Sequence, residues 1–283
     1  MLVVIKGAGD LASGIALRLF HAGFDIAMTE IAVPLSVRTS VCFSRAVYEG
    51  RAVVEDVTAV LVRNEAGTRE AGYLLDTMPP VGVLPKKQIA VFIDPAAEIV
   101  KKLRPAVLVD AIMAKKNTGT AITDAPVVIG VGPGFTAGLD CHAVIETQRG
   151  HTLGRVITVG PAQPDTGVPG DIGGYTAERL LRSPADGIFE AVKAIGHAVK
   201  KGEAAAFVRS GPCGEKIPVK AEIDGMLRGI LPDGTPVKKG MKAGDVDPRC
   251  EVSHCFTVSD KALAIGGGVL EALLRFSVKK CEY

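Results

Sequence analysis

The apolar positions of this chain fall into two regimes. Through the first half, short unbroken apolar runs recur at Leu2 to Ile5, Ala59 to Val62, Ile89 to Ile93, Ala106 to Val109 and Val127 to Val131. Runs this short with no polar alternation read as strands buried on both faces, the signature of a parallel sheet covered on each side. Between them, Ile15 to Phe24 and Pro95 to Leu103 place apolar residues at helical spacing. Strands alternating with helices predict an α/β fold built on a doubly wound parallel sheet over residues 1–140.

In the second half the pattern changes. Residues 186–208 return as residues 224–246 at an offset of 38 (225 − 187 = 38), with Ala205 matching Ala243 and Val208 matching Val246. Each copy reads Asp-Gly, apolar run, Gly, then Val-Lys-Lys-Gly and a second apolar run, which predicts strand, tight turn, strand. Two such halves resemble the barrel-sandwich hybrid of biotinyl and lipoyl carriers, and the expectation is a small all-β domain over residues 184–250. The hairpin between the halves lacks a carrier's modified lysine, and Cys213 and Lys216 near its tip read as a solvated turn. Residues 141–183 connect the two domains through a Gly/Pro-rich stretch, and residues 251–283 supply a C-terminal helix, Lys261 to Phe276, that either packs back on a core or forms a homo-oligomer contact.

The first glycines sharpen the N-terminal reading. Gly7, Gly9 and Ala12 follow the first strand and open the first helix, and Glu30 ends the second strand about 20 residues on. This is the Rossmann fingerprint: missing side chains let backbone amides approach a phosphate, and the acid meets a ribose hydroxyl. Gly7, Gly9, Asp10, Ala12, Gly14 and Glu30 are therefore candidate cofactor-binding residues. Packing of helix on sheet explains the same glycines without any ligand. Lys115 and Lys116, in a loop with Asn117, Thr118 and Thr120, offer cations and donors to an oxyanion, or are simply solvated.

The stretch richest in reactive groups is residues 131–151, with Gly134, Asp140, Cys141, His142, Glu146, Arg149 and His151. Cys141, His142 and Glu146 are the candidate catalytic residues, because an imidazolium lowers a thiol's pKa and only the thiolate attacks. Neighbours on a strand point to opposite faces, so Cys141 and His142 need not touch, and a buried cysteine behaves as a small hydrophobe. Gly134, Arg149 and His151 are read as cofactor-binding, with loop fixing as the alternative role for Arg149 and His151.

Bulk properties narrow the classes. The chain has 283 residues, 47% of them hydrophobic, and 33 Lys plus Arg against 31 Asp plus Glu for a formal charge of +2. It is long enough for two cores and too balanced in charge for a nucleic-acid or membrane surface. Six cysteines without a Cys-x-x-Cys pair fit reduced thiols and a cytoplasmic location. Cys250, His254 and Cys255 fall short of a closed zinc site unless Cys213 or Cys281 joins, so no metal is assigned.

Five segments carry a resemblance: Gly7-Ala-Gly-Asp-Leu-Ala-Ser-Gly14, Pro133-Gly-Phe-Thr-Ala-Gly138, Val144-Ile-Glu-Thr147 followed by Arg149-Gly-His151, Asp165-Thr-Gly-Val-Pro-Gly170, and Ile223-Asp-Gly-Met-Leu-Arg-Gly229. They look like the YqeB-type accessory proteins of selenium-dependent molybdenum hydroxylases, a family similar in its Rossmann part to XdhC maturation factors. The resemblance implies a maturation role: binding a nucleotide or molybdopterin-type cofactor and assisting selenium or sulfur installation, with a molybdenum hydroxylase or its maturation machinery as partner. Two other readings of the residues stay open, an NAD(P)-dependent oxidoreductase, in which Glu30 would favour NAD, and a non-catalytic scaffold that docks a hydroxylase.

Overall fold

The structure, a computed structural model, describes residues 1–62, 87–211 and 214–278. The sequence readings at Cys213 and Cys281 lie outside these. The chain divides into two compact units, one of Met1–Pro34, Cys42–Asp165 and Val258–Tyr283, the other of Leu35–Val41 and Thr166–Thr257.

The first unit begins β1 (Leu2–Lys6), α1 (Asp10–His21), β2 (Asp25–Glu30), α2 (Ala46–Glu49), β3 (Arg51–Val54), β4 (Val57–Leu61), β5 (Ile89–Ile93), α3 (Ile99–Leu103) and β6 (Val107–Asp110). It continues through β7 (Val127–Val131), β8 (Thr136–Ala137), β9 (Ala143–Ile145), β10 (Val156–Ile157) and β11 (Gly160–Pro161). Among the described residues, nine strands form one sheet in the order β10-β9-β7-β6-β1-β2-β5-β4-β3, while β8 and β11 make a separate ribbon. The apolar runs do become central strands, since β5 and β7 are buried at every position.

The expected Rossmann-like doubly wound sheet is corrected. The sheet is mixed, because β3 and β10 close its two edges antiparallel to β4 and β9. A doubly wound sheet is also covered by helical crossovers, whereas the link from β6 to β7 contains no helix and the link from β7 to β9 carries only β8.

The second unit runs β12 (Leu180–Arg182), β13 (Gly187–Ala191), β14 (Ala198–Val199), β15 (Ala204–Ser210), β16 (Glu215–Lys220), β17 (Gly225–Ile230), β18 (Pro236–Val237), β19 (Lys242–Asp247) and α4 (Ser253–Phe256). The strands form two four-stranded antiparallel sheets, β12-β19-β17-β14 and β16-β15-β13-β18. This also corrects the expected barrel-sandwich hybrid of residues 184–250. Strands β12 and β16 lie outside the repeats yet extend each sheet, and residues 35–41, from far earlier in the chain, belong to the unit.

The repeat nevertheless organises this unit. Short strand β14 of the first copy pairs with β17 of the second, and β18 of the second pairs with β13 of the first. Equivalent residues Phe189 and Leu227, Val199 and Val237, Val208 and Val246 are all buried in one core. The polar ends are reciprocal as well. Asp224 accepts the Lys201 backbone N–H at 2.7 Å and Asp186 accepts that of Lys239 at 2.8 Å, so each copy's acid closes the other copy's Lys-Lys turn.

The last helix, α5 (Asp260–Val278), belongs to the first unit and lies along α1. Gly14 faces Ala262 and Arg18 covers Gly266, so the two helices run parallel with their heads at the same end. Among the described residues, no helix is long and apolar enough to cross a membrane.

Candidate functional site at the carboxyl edge of the large sheet

The parallel strands of the first unit end together, and their following loops carry most of the polar residues singled out above. Gly7 turns the chain out of β1 at φ 92°, a left-handed value that favours glycine. A Cβ there would lie 3.1 Å from the Ala111 carbonyl oxygen, so the glycine also admits the loop after β6. Gly9 caps α1 without a side-chain bond, and Asp10 occupies the helix's first turn. Ala12 and Gly14 are buried inside α1. Gly14 is a helix-packing position: a Cβ on it would come within 2.6 Å of the Ala262 Cβ.

Glu30 turns toward the glycine loop. Its carboxylate accepts the Ala8 N–H at 3.0 Å and the Ile31 N–H at 2.8 Å. Burial raises its pKa, against the lowering by those two bonds. The carboxylate that a ribose would meet is thus already engaged by its own chain.

The 131–151 segment divides into structural and edge residues. Cys141 is fully buried in the core beside Val128 and Phe135. Burial pushes its thiol up to about 11, which leaves it protonated at neutral pH. The His142 ring accepts the Val128 N–H at Nδ1 and stacks edge-on against Phe276. Glu146 is also buried, and its carboxylate accepts three backbone N–H groups, those of Thr147, Gln148 and Gln163. Asp140 accepts the Thr136 N–H at 2.7 Å. Through these bonds His142, Glu146 and Asp140 organise the surrounding backbone.

The cations gather elsewhere on the same edge. Lys115 pairs with Asp165 at 2.6 Å, and Arg149 holds Asp260 through two bonds of 2.7 and 3.0 Å. Gly134 (φ 107°) has no room for a Cβ because the Lys116 backbone passes there, which docks the Lys115–Lys116 loop against the turn after β7. His151 stands exposed on the loop that follows Arg149.

Two lysines escaped the sequence reading. Lys261, at the head of α5, has its pKa lowered by burial and by Arg149, while Asp10, Glu146 and Asp165 raise it. Those charges place it among the residues of this edge. Lys6, at the end of β1, is buried and bonded to Thr120 and Asp110. A charge closing an otherwise apolar strand was a visible signal for Lys6. Lys261 had a weaker one, since a cation at a helix N-terminus opposes the macrodipole and needs a reason to be there. Among the described residues, no group of three or more His, Cys, Asp or Glu side chains is placed to hold a metal ion.

These features define an α/β protein with an appended all-β unit, whose large sheet ends in a glycine turn, two helix heads and cations from three separate elements. In sequence the chain is similar to the uncharacterized protein YqeB of Escherichia coli strain K12, with 50% identity over 273 residues, covering 96% of this chain and 47% of that protein. The chain therefore spans about half the length of the curated relative it matches. No family model matches it. Among solved structures it is similar to an aspartoacylase family protein from Mesorhizobium loti (10% identity, TM-score 0.28, 87% of this chain and 83% of that one). A succinylglutamate desuccinylase from Silicibacter sp. gives 14% identity and a TM-score of 0.26 over 87% of this chain and 84% of that one. Neither is a Rossmann protein or a maturation factor by its name, and these scores are too low to define a shared fold. The sequence likeness to YqeB stands, while the XdhC relationship expected from the Rossmann part gains nothing from these comparisons.

Proposed function

We propose that the chain is an accessory protein of a selenium-dependent molybdenum hydroxylase that binds a phosphate-bearing cofactor, a nucleotide or a molybdopterin-type pterin, at the carboxyl edge of the large sheet. The family resemblance of the five sequence segments motivates the accessory role. The observation that carries the binding role is that cations from three separate elements share acidic neighbours at this edge: Lys115 pairs with Asp165, Arg149 with Asp260 at the head of α5, and Lys261 feels the charges of Arg149, Asp165 and Asp10 of the α1 head. Their present partners are carboxylates on exposed or half-exposed side chains, Asp165 and Asp260. Exposed ion pairs are worth about 0–1 kcal/mol, so a multiply charged anion can displace them at small cost.

The residues fit such a group in kind: Lys115, Lys116, Arg149 and Lys261 would meet its phosphate oxygens, with the amides of Gly9 and Asp10 at the head of α1 beside them. With the Cys141 thiol buried and protonated, the reading is one of holding and presenting a cofactor. Assistance in placing selenium or sulfur on it is part of the same proposal and rests on the family resemblance alone.

Two measurements test it. Calorimetric titration with inorganic pyrophosphate should give binding that weakens at least tenfold in Lys261→Ala, and no binding at millimolar concentration would reject the site. Hydroxylase purified from a strain lacking this protein should be deficient in activity and selenium; fully active, selenium-loaded enzyme would reject the role.

A further inference from the structure

Below the cation loop lies a buried polar trio that the proposed site does not touch. Lys6, Asp110 and Thr120 are 7%, 1% and 3% exposed. Lys6 and Asp110 are register partners on adjacent strands β1 and β6, and Thr120 comes from the loop that follows β6. Lys6 Nζ donates to Thr120 Oγ1 at 2.6 Å and pairs with Asp110 Oδ2 at 3.2 Å, while Thr120 Oγ1 donates to the same Asp110 oxygen at 2.5 Å. The second Asp110 oxygen accepts the Ile112 N–H. Only a hydroxyl can accept from an ammonium and donate to a carboxylate at one atom. Removing one member of such a trio leaves a buried charge short of a partner.

The trio fixes one end of the segment that carries Lys115 and Lys116. From Thr120 the order spreads back along the loop. The Asn117 side chain donates to the Thr120 carbonyl and accepts the Gly119 and Thr120 N–H groups. Further back, Met113 and Lys115 both sit at φ 62°, a left-handed conformation that non-glycine residues keep only where the surroundings impose it. On the other side, Gly134 gives way to the Lys116 backbone and Gly132 to Met113 and Thr147. The loop is clamped between the trio and the turn after β7, with Lys115 held in its strained conformation between the clamps.

We propose that Thr120, locked by Lys6 and Asp110, is a positioning residue that sets Lys115 and Lys116 at the height above the sheet edge needed to grip the ligand's phosphate. This rests on the binding role proposed above. It assigns a function to a buried ion pair whose burial alone gives no assured gain in stability.

A double-mutant cycle on the full chain tests it, with inorganic pyrophosphate as probe and calorimetry as readout. Thr120→Val should weaken binding about tenfold, and Thr120→Ser, which restores the hydroxyl, should come within about twofold of the parent. In a Lys115→Ala, Lys116→Ala background, Thr120→Val should cost less than twofold, because the groups it positions are gone. Lys6→Met serves the same cycle if Thr120→Val does not fold, since it spares the bond between Thr120 and Asp110. Unchanged affinity in the single variant, failure of Ser to rescue, or an equal loss in both backgrounds would overturn the positioning role while leaving the site itself standing. Absence of binding in the parent chain would remove both.

Discussion

Cys141 carries a thiol whose surroundings decide against the chemistry its neighbour His142 invites. It has no exposed surface, and burial lifts its pKa to about 11 from an ordinary 9.0. Native protein at pH 8 should therefore resist iodoacetamide at this position, with modification appearing only on unfolding; peptide mapping that finds Cys141 alkylated in folded protein would reverse the assignment. Lys261 also stands where its charged form is disfavoured, and there a bound anion would offset the penalty. Burial and Arg149 lower its pKa, so it is neutralised at a lower pH than an ordinary lysine. Anion affinity should accordingly fall on the alkaline side before an ordinary lysine would titrate. Lys261→Arg, which stays charged throughout, should push that decline to higher pH. An alkaline limb that does not move in the arginine variant would mean that Lys261 does not meet the ligand.

At the level of elements, the pairing of α1 with α5 depends on missing side chains. Gly14 lies against Ala262, and Gly266 lies 3.0 Å by its absent Cβ from the Gly14 carbonyl oxygen. Gly14→Val should cost about 1–3 kcal/mol by overpacking, read as a lowered denaturant midpoint with unchanged slope. A Gly14→Val chain as stable as the parent would return this glycine to the phosphate turn where its spacing first placed it. That turn was legible because Gly7 and Gly9 follow an apolar strand, but spacing alone could not tell a glycine that frees an amide from one that admits a helix. The central strands were legible for a similar reason, since runs such as Ile89 to Ile93 have no polar face to expose. Their neighbours were not, because a fully apolar strand specifies burial and not a partner. The alternating burial of Arg51–Val54, which marks an antiparallel edge strand, was also missed. In the second half the duplication was plain at Asp186 and Asp224, yet the exchange of β14 and β18 between copies was not, as two-residue strands carry almost no periodicity.

Across the whole molecule, one carboxylate in each unit is shifted in the opposite direction to the other, Glu30 up and Asp247 down, and acid should therefore act on these two with opposite sign. In the first unit, burial raises the pKa of Glu30 above 4.5. The folded form binds the proton more readily than the unfolded one, so acidification through that raised value down to 4.5 adds stability. In the second unit, burial alone would raise Asp247, but the side-chain and backbone bonds from Arg249, together with the charges of Arg249 and Arg228, bring it down to about 2 from 3.8. Its contribution is complete above 3.8 and is lost as pH falls toward 2. With Arg249 half-exposed and screened, about 1–2 kcal/mol is at stake. The reciprocal acids Asp186 and Asp224 also have lowered pKa values, but they stand in solvent and add little. Hydrogen exchange followed from pH 5 to pH 2.5 should show amides of β17 and β19 losing protection while those of β1 and β2 keep theirs. Asp247→Asn should start from lower stability at neutral pH and flatten the acid loss in the second unit alone. Equal loss in both units, or an unchanged acid limb in the variant, would mean that the arginine-held carboxylate does not govern the acid response of the all-β unit.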